Sequence, residues 1–233
     1  MPVFPFQNAS YPASSPRVTA VGGTNLYFGT GTPATGKADP NGAYILEKVL
    51  NDEAQGIALA GGGGVSALFR RPGYQDALPS SVRRSLHGHR GVPDVAYNGG
   101  VVGGVVVHLG FLGPAGNGFY IFGGTSAGAP QWAGAIADIN QALGHPLGFI
   151  NNRLYRLGKT GVLADLFHDI TVGDNGFCFF TTPNPPGVFA CVPGFNATPG
   201  WDLATGWGTP NFGKVLSLIG DDDEGEDDNG DSE

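Results

Sequence analysis

The 233-residue sequence predicts an α/β architecture with a largely parallel sheet. Two observations carry this. Short apolar, β-branched runs alternate along the chain with stretches of helical pattern, as in strand–helix repeats. The clearest helix, residues 127–143, is rich in small side chains (Gly128, Ala129, Ala133, Gly134, Ala137), which let a helix lie close against a sheet.

In chain order, residues 18–21 and 25–28 read as strand-like runs around a turn at Gly22-Gly23, and 29–42 are turn-rich. Residues 43–51 read as a short helix, 61–64 as a four-glycine loop, and 74–84 as irregular with a helix start near Pro79-Ser80-Ser81. A strand opens at 93–96. The β-branched run 101–112 reads as strand or hairpin, and 119–122 as a strand ending in Gly123-Gly124. Pro130 falls in the first turn of the 127–143 helix, where its missing N–H is not needed. Further helices are predicted at 151–157 and 211–219. The 41 glycines and 18 prolines follow no fixed period, which excludes collagen and fits many tight turns.

The net charge of -8 is local. Nine of the 20 acids lie in residues 221–233, leaving a body of 11 acids and 12 bases. That body has no basic stripe, so no nucleic-acid partner is expected. No apolar run is long enough for a transmembrane helix, so no membrane partner is expected either. The start of the chain has no signal-peptide pattern. Residues 1–219 are read as one body and 220–233 as an acidic, disordered tail. Cys178 and Cys191 flank a turn-rich loop. They read as a disulfide if the protein is exported, and as free thiols otherwise. His87, His89, His108, His145 and His168 have no zinc spacing.

The stretch Gly123-Gly124-Thr125-Ser126-Ala127-Gly128-Ala129-Pro130 sits at a strand-to-helix junction. Unpaired N–H groups at a helix N-terminus favour negative charge, as an oxyanion requires. Ser126 therefore reads as a nucleophile or as a plain N-cap, and the octamer does not separate the two. It also contains a G-x-S-x-G, which admits an esterase-like hydrolase using Ser126, Asp165 and His168. Asp165 and His168 share one short segment, however, and elbow enzymes take acid and base from separate loops.

Seven blocks in order resemble the sedolisin (serine-carboxyl peptidase) family: YPASSPRVTAVGGT at 11–24, EKVLND at 47–52, GGGGVS at 61–66 with RPGYQ at 71–75, RGVPDV at 90–95, GTSA at 124–127 with Pro130, FHDIT at 167–171, and PGWD at 199–202 with TGWG at 205–208. The resemblance implies the C-terminal part of a subtilisin-like peptidase domain. It implies peptide-bond hydrolysis at acid pH, outside the cytoplasm, with Ser126 as nucleophile. It also implies a calcium site built from the carboxylates of Asp169 and Asp202 with the carbonyls of Ile170, Thr198 and Gly200. In isolation either aspartate would read as a turn or cap residue. Asp174-Asn175-Gly176 reads as a plain turn, and Asp94 as an exposed acid with a structural role.

The family's catalytic Glu, the Asp four residues after it, and its oxyanion Asp in an SAGD-like loop have no counterpart in the body. The Glu224/Asp228 spacing in the tail is incidental. The expected function is therefore a serine-type, acid-acting, calcium-binding endopeptidase that is incomplete at its N-terminal side and inactive alone. Its expected partners are a polypeptide substrate and an N-terminal fragment carrying the missing acids, with signal and propeptide upstream. The rival readings are a non-catalytic calcium-binding scaffold and the esterase.

Overall fold

The computed structural model of the chain describes residues 9–28, 44–57, 59–101, 103–181 and 188–215. β1 (Val21–Phe28) is central to a three-stranded sheet. β2 (Tyr44–Val49) pairs with it antiparallel, from Thr24 opposite Val49 to Phe28 opposite Tyr44. β3 (Gly64–Arg70), helix α1 (Ser80–Ser85) and β4 (His89–Val92) follow, with β3 and β4 antiparallel. β5 (Val95–Asn98) returns to the first sheet and pairs parallel with β1, Val21 opposite Val95. β6 (Val105–Leu109) and β7 (Gly118–Phe122) form an antiparallel hairpin.

The long helix α2 (Thr125–Leu143) comes next, then α3 (Asn151–Thr160) and α4 (Leu163–Leu166). β8 (Phe167–His168), β9 (Phe177–Thr181), β10 (Val188–Val192) and β11 (Thr209–Pro210) complete the order. β8 pairs with β11, and β9 with β10. Residues 207 and 208 exchange backbone hydrogen bonds with Asp94 and Ala96, so the last segment runs along the outer edge of β5. The α/β class is as the sequence predicts, but among the described residues only the β1–β5 pairing is parallel and the other five are antiparallel. Most neighbouring strands there are joined as hairpins or short returns rather than through a crossover helix.

Two assignments change. Gly22 and Gly23 lie inside β1 rather than in a turn. A Cβ on Gly23 would stand 2.4 Å from Leu50 Cδ2, so the glycine is there for close packing. Residues 44–49 form a strand, not a helix. Pairing with β1 overrides helix propensity, and the period of two turns Glu47 and Val49 inward. Residues 212–215 are helical and Asn211 precedes the helix; residues 216–219 of the expected helix, the 29–42 turns and the 220–233 tail lie outside the described residues.

α2 rests on β5. Its buried Gly128 would place a Cβ 3.2 Å from Tyr97 Cβ, and Trp132 Nε1 donates to the Ala96 carbonyl at 3.1 Å. Trp132 and Ile139 then pack with Leu154, Leu163, Leu166 and Phe167 in the largest core cluster. Cys178 and Cys191 face each other across β9 and β10 and are disulfide-bonded. No helix among the described residues is long and apolar enough to cross a membrane.

Asp94 is fully buried, contrary to the exposed position expected of it, and its role is structural. Its carboxylate takes a bidentate ion pair from Arg90, with Nη1 at 2.8 Å and Nη2 at 2.5 Å. It also accepts from the Ala20 N–H and the Tyr155 hydroxyl, both at 2.7 Å. Gln75 closes the network, donating to Tyr155 at 2.9 Å and to the Gly91 carbonyl at 2.8 Å. Burial works against the Arg90 charge. Asp94 more than reverses this, and the guanidinium pKa is held above its ordinary value.

Candidate active site

β7 runs into Gly123-Gly124, and α2 starts at Thr125. Gly124 has φ 81°, a conformation that strains any side chain, so the sharp reversal before the helix requires glycine here. Its N–H donates to the Gly99 carbonyl at 2.5 Å. Gly99 and Gly100 donate in turn to the Thr24 carbonyl of β1, at 2.9 and 3.0 Å. Ser126 follows in the first turn of α2, exposed to solvent. Among the described residues no protein group hydrogen-bonds its hydroxyl. A cavity of about 190 Å³ reaches the preceding residue, Thr125, and is otherwise lined mainly by small residues, including Gly62, Gly63 and Pro93.

Two buried carboxylates brace this turn, and sequence reasoning missed both. Asp52 is wholly buried and accepts from Asn25 Nδ2 and from the Val101 N–H at 2.9 Å. It thereby fixes the 99–101 loop on which Gly124 hangs. Glu47 is 5% exposed and accepts from the hydroxyls of Thr24, at 2.6 Å, and Thr209. Both acids lie in the EKVLND block. The only sequence clue was the strand period that points Glu47 inward.

Burial pushes the Glu47 pKa up, only partly offset by Thr209, Thr24 and the nearby His168. A group with a raised folded pKa stabilises fully below its unfolded value, about 4.3 for Glu, and that stabilisation is lost as pH rises through the folded value. Metal-free protein should therefore melt at a higher temperature near pH 4 than the Glu47 share allows near pH 7. Glu47→Gln should flatten that part of the pH dependence. Equal pH slopes for the two proteins in thermal unfolding with chelator would refute this.

His168 and Asp165 do not join Ser126. His168 lies in β8, its ring stacked on Tyr44 at 4.1 Å between centroids. Asp165 is exposed on α4. No hydrogen bond links either to Ser126 among the described residues.

Two hydrogen bonds link residues of the expected calcium set. Asp169 Oδ2 accepts from the Gly200 N–H at 2.8 Å, so the residue after β8 touches the 198–202 turn. Asp202 is 6% exposed and accepts from the N–H groups of Thr198, Ala204 and Thr205 at 2.8–2.9 Å. The carbonyls of Ile170, Thr198 and Gly200 accept no hydrogen bond among the described residues. Burial raises the pKa of both aspartates, with backbone donors offsetting only part of it. Among the described residues no cluster of three or more His, Cys, Asp or Glu could hold a metal. Any cation here would take two carboxylates and backbone oxygens, a donor set that suits calcium rather than zinc.

This elbow and its order of blocks have relatives. Kumamolisin of Bacillus sp. is 36% identical over 214 residues, 91% of this chain and 32% of its own length. Tripeptidyl-peptidase 1 of Mus musculus is 32% identical over 90% of this chain and 33% of its own. The structure of Pseudomonas sedolisin, a serine-carboxyl proteinase complexed with pseudo-iodotyrostatin, superposes with a TM-score of 0.66 at 30% identity. The chain belongs to the sedolisin family. No protein-family model matches it. It spans about a third of the length of the curated relatives it matches, and 48% of the sedolisin structure.

Proposed function

We propose that this chain is the nucleophile-bearing part of an acid-acting serine-type endopeptidase of the sedolisin kind, and that Ser126 attacks the peptide carbonyl. The observation that carries this reading is the elbow itself. An exposed serine, its hydroxyl without a hydrogen-bond partner among the described residues, opens a helix behind a glycine of positive φ. The Ser126 N–H at the helix N-terminus is oriented to stabilise the oxyanion that forms as the carbonyl is attacked. The Ser126 proton must leave as the bond forms, and no base among the described residues receives it. The sedolisin resemblance assigns that proton to a glutamate on a separate, N-terminal segment. A carboxylate base stays ionised down to about its pKa near 4, which fits work at acid pH. The Cys178–Cys191 bridge supports an oxidising, extracellular setting. The test is hydrolysis of a denatured protein substrate at pH 3–7. The isolated chain should be inactive, and the chain supplied with a sedolisin-type N-terminal segment should be active at acid pH. Equal rates with and without that segment would overturn the reading.

We further propose that Asp169 and Asp202, with the carbonyls of Ile170, Thr198 and Gly200, hold calcium. The raised pKa values of the two aspartates support it, as do the three carbonyls that accept no hydrogen bond among the described residues. The ion would tie β8 to the 198–202 turn and take no part in the chemistry. Binding to the native state alone adds about 2.7 kcal/mol at a hundredfold excess over Kd. The melting temperature should rise with calcium. The rise should be larger at pH 7 than at pH 4, because protons compete for the same carboxylates. Asp169→Asn keeps an acceptor for Gly200 but removes the charge, and it should lose the rise. Identical melting with calcium and chelator at pH 7 would exclude the site.

A further inference from the structure

We propose that the β6–β7 hairpin and the small-residue edge of α2 form one docking face, and that its occupant is the remaining part of a sedolisin-type peptidase domain. This rests on the family reading above.

Phe119, Tyr120, Ile121 and Phe122 are consecutive and all exposed, at 76%, 39%, 63% and 43%. Side chains of a strand alternate between its faces, so both faces of β7 are open. A hairpin with one face in water alternates apolar and polar residues; an unbroken apolar run belongs to a strand covered on both sides. Across the hairpin Val106 is 62% exposed, and in the connection Phe111 is 80% exposed.

Charge points the same way. Between Asp94 and Asp138 the sequence holds no Asp, Glu, Lys or Arg. β6 and β7 pair only with each other among the described residues, so each has an open edge. Edges that stay in water carry charges, prolines or bulges that block pairing, and these two strands carry no Asp, Glu, Lys, Arg or Pro, His108 being their one basic side chain.

The chain runs from β7 through Ser126 into a second uncovered apolar surface, on α2. Ala129, Ala133 and Ala137 follow at four-residue steps along α2, with Pro130 and Gly134 beside them, and all are exposed. A Cβ at Gly134 would meet nothing within 4 Å. The two uncovered surfaces are thus large apolar groups on both faces of a strand and a small-residue helix edge, and in sequence the nucleophile lies between them.

A second copy pairing edge to edge would cover one border and leave both faces of β7 wet. Covering both faces and the helix edge takes a polypeptide that wraps the hairpin. The comparison structure supplies its size: this chain accounts for 48% of it, so about as much chain again folds with the matched half.

The experiment uses this chain alone, mixed with the portion of Pseudomonas sedolisin that it does not match, and fused to that portion. Amide hydrogen exchange of 105–109 and 118–122 is the readout. In the chain alone these amides should exchange fast, and with the occupant, mixed or fused, they should slow by about tenfold or more. Ile121→Asp on one face and Tyr120→Asp on the other should each restore fast exchange. Leu68→Asp, at an 85% exposed apolar residue on β3, should not. Exchange unchanged in both the mixture and the fusion would overturn the proposal. So would a concentration-dependent dimer, or added lipid vesicles, protecting these amides in the chain alone. Protection without hydrolysis would leave the docking face standing and the peptidase reading fallen; hydrolysis without protection would do the reverse.

Discussion

Arg90→Ala should destabilise the protein by about 3–5 kcal/mol, the usual effect of removing one partner of a buried ion pair. Both side chains of the Arg90–Asp94 pair have no solvent exposure. The variant leaves the Asp94 carboxyl in the interior without its counter-ion, and among the described residues the Ala20 N–H and the Tyr155 hydroxyl are the donors that remain. The damage should spread, because Asp94 joins β4 to β1 through Ala20 and to α3 through Tyr155. Arg90→Lys should rescue little, since one ammonium cannot engage both carboxylate oxygens in the plane that the guanidinium uses. Urea unfolding measures the loss. A change below about 1 kcal/mol, the range of exposed pairs, would show that water reaches the carboxylate.

The order of helices and strands was legible where local pattern and tertiary role agree. The run 101–112 and the strand 119–122 became a hairpin because β-branched and aromatic residues favour a pleated chain wherever it ends up. The 127–143 helix was read to within two residues of its start at Thr125, because the glycine pair before it and the small residues within it both mark a strand-to-helix junction. Residues 43–51 failed because helix propensity is a weak prior and pairing with β1 outweighs it. Gly22-Gly23 failed because a glycine pair means either a turn or a close approach, and only the position of Leu50 decides which.

The site was legible in the same uneven way. Ser126 and the Asp169–Asp202 loop came from blocks of the family resemblance, and the structure brings Asp169 and the 198–202 turn into contact. Asp52 and Asp94 could not be read as interior residues. A buried acid looks like any other until its donors are in place, and those donors come from Asn25, Val101, Ala20, Arg90 and Tyr155, most of them distant in sequence.

Ser126→Ala should abolish peptide hydrolysis in the chain supplied with its N-terminal segment, on the order of 10⁶-fold in kcat. The hydroxyl is the atom that forms the covalent bond, and water placed by the remaining groups cannot replace it at a comparable rate. Folding should be untouched, since the side chain is exposed and no protein group hydrogen-bonds it among the described residues. Melting temperature and hairpin protection should match those of the parent. His168→Ala separates the two serine chemistries. In the sedolisin-like reading His168 is a neighbour of Glu47 and Tyr44, so its loss should shift stability and leave kcat within a few-fold. In the esterase reading it is the base, and its loss should cost as much as the loss of the serine. Asp52→Asn distinguishes positioning from chemistry. The amide still accepts the Val101 N–H but presents an N–H₂ where a second acceptor stood. The 99–101 loop and the Gly124 turn should therefore loosen, lowering kcat more than it raises KM. A kcat unchanged by Ser126→Ala would remove the elbow from the mechanism altogether.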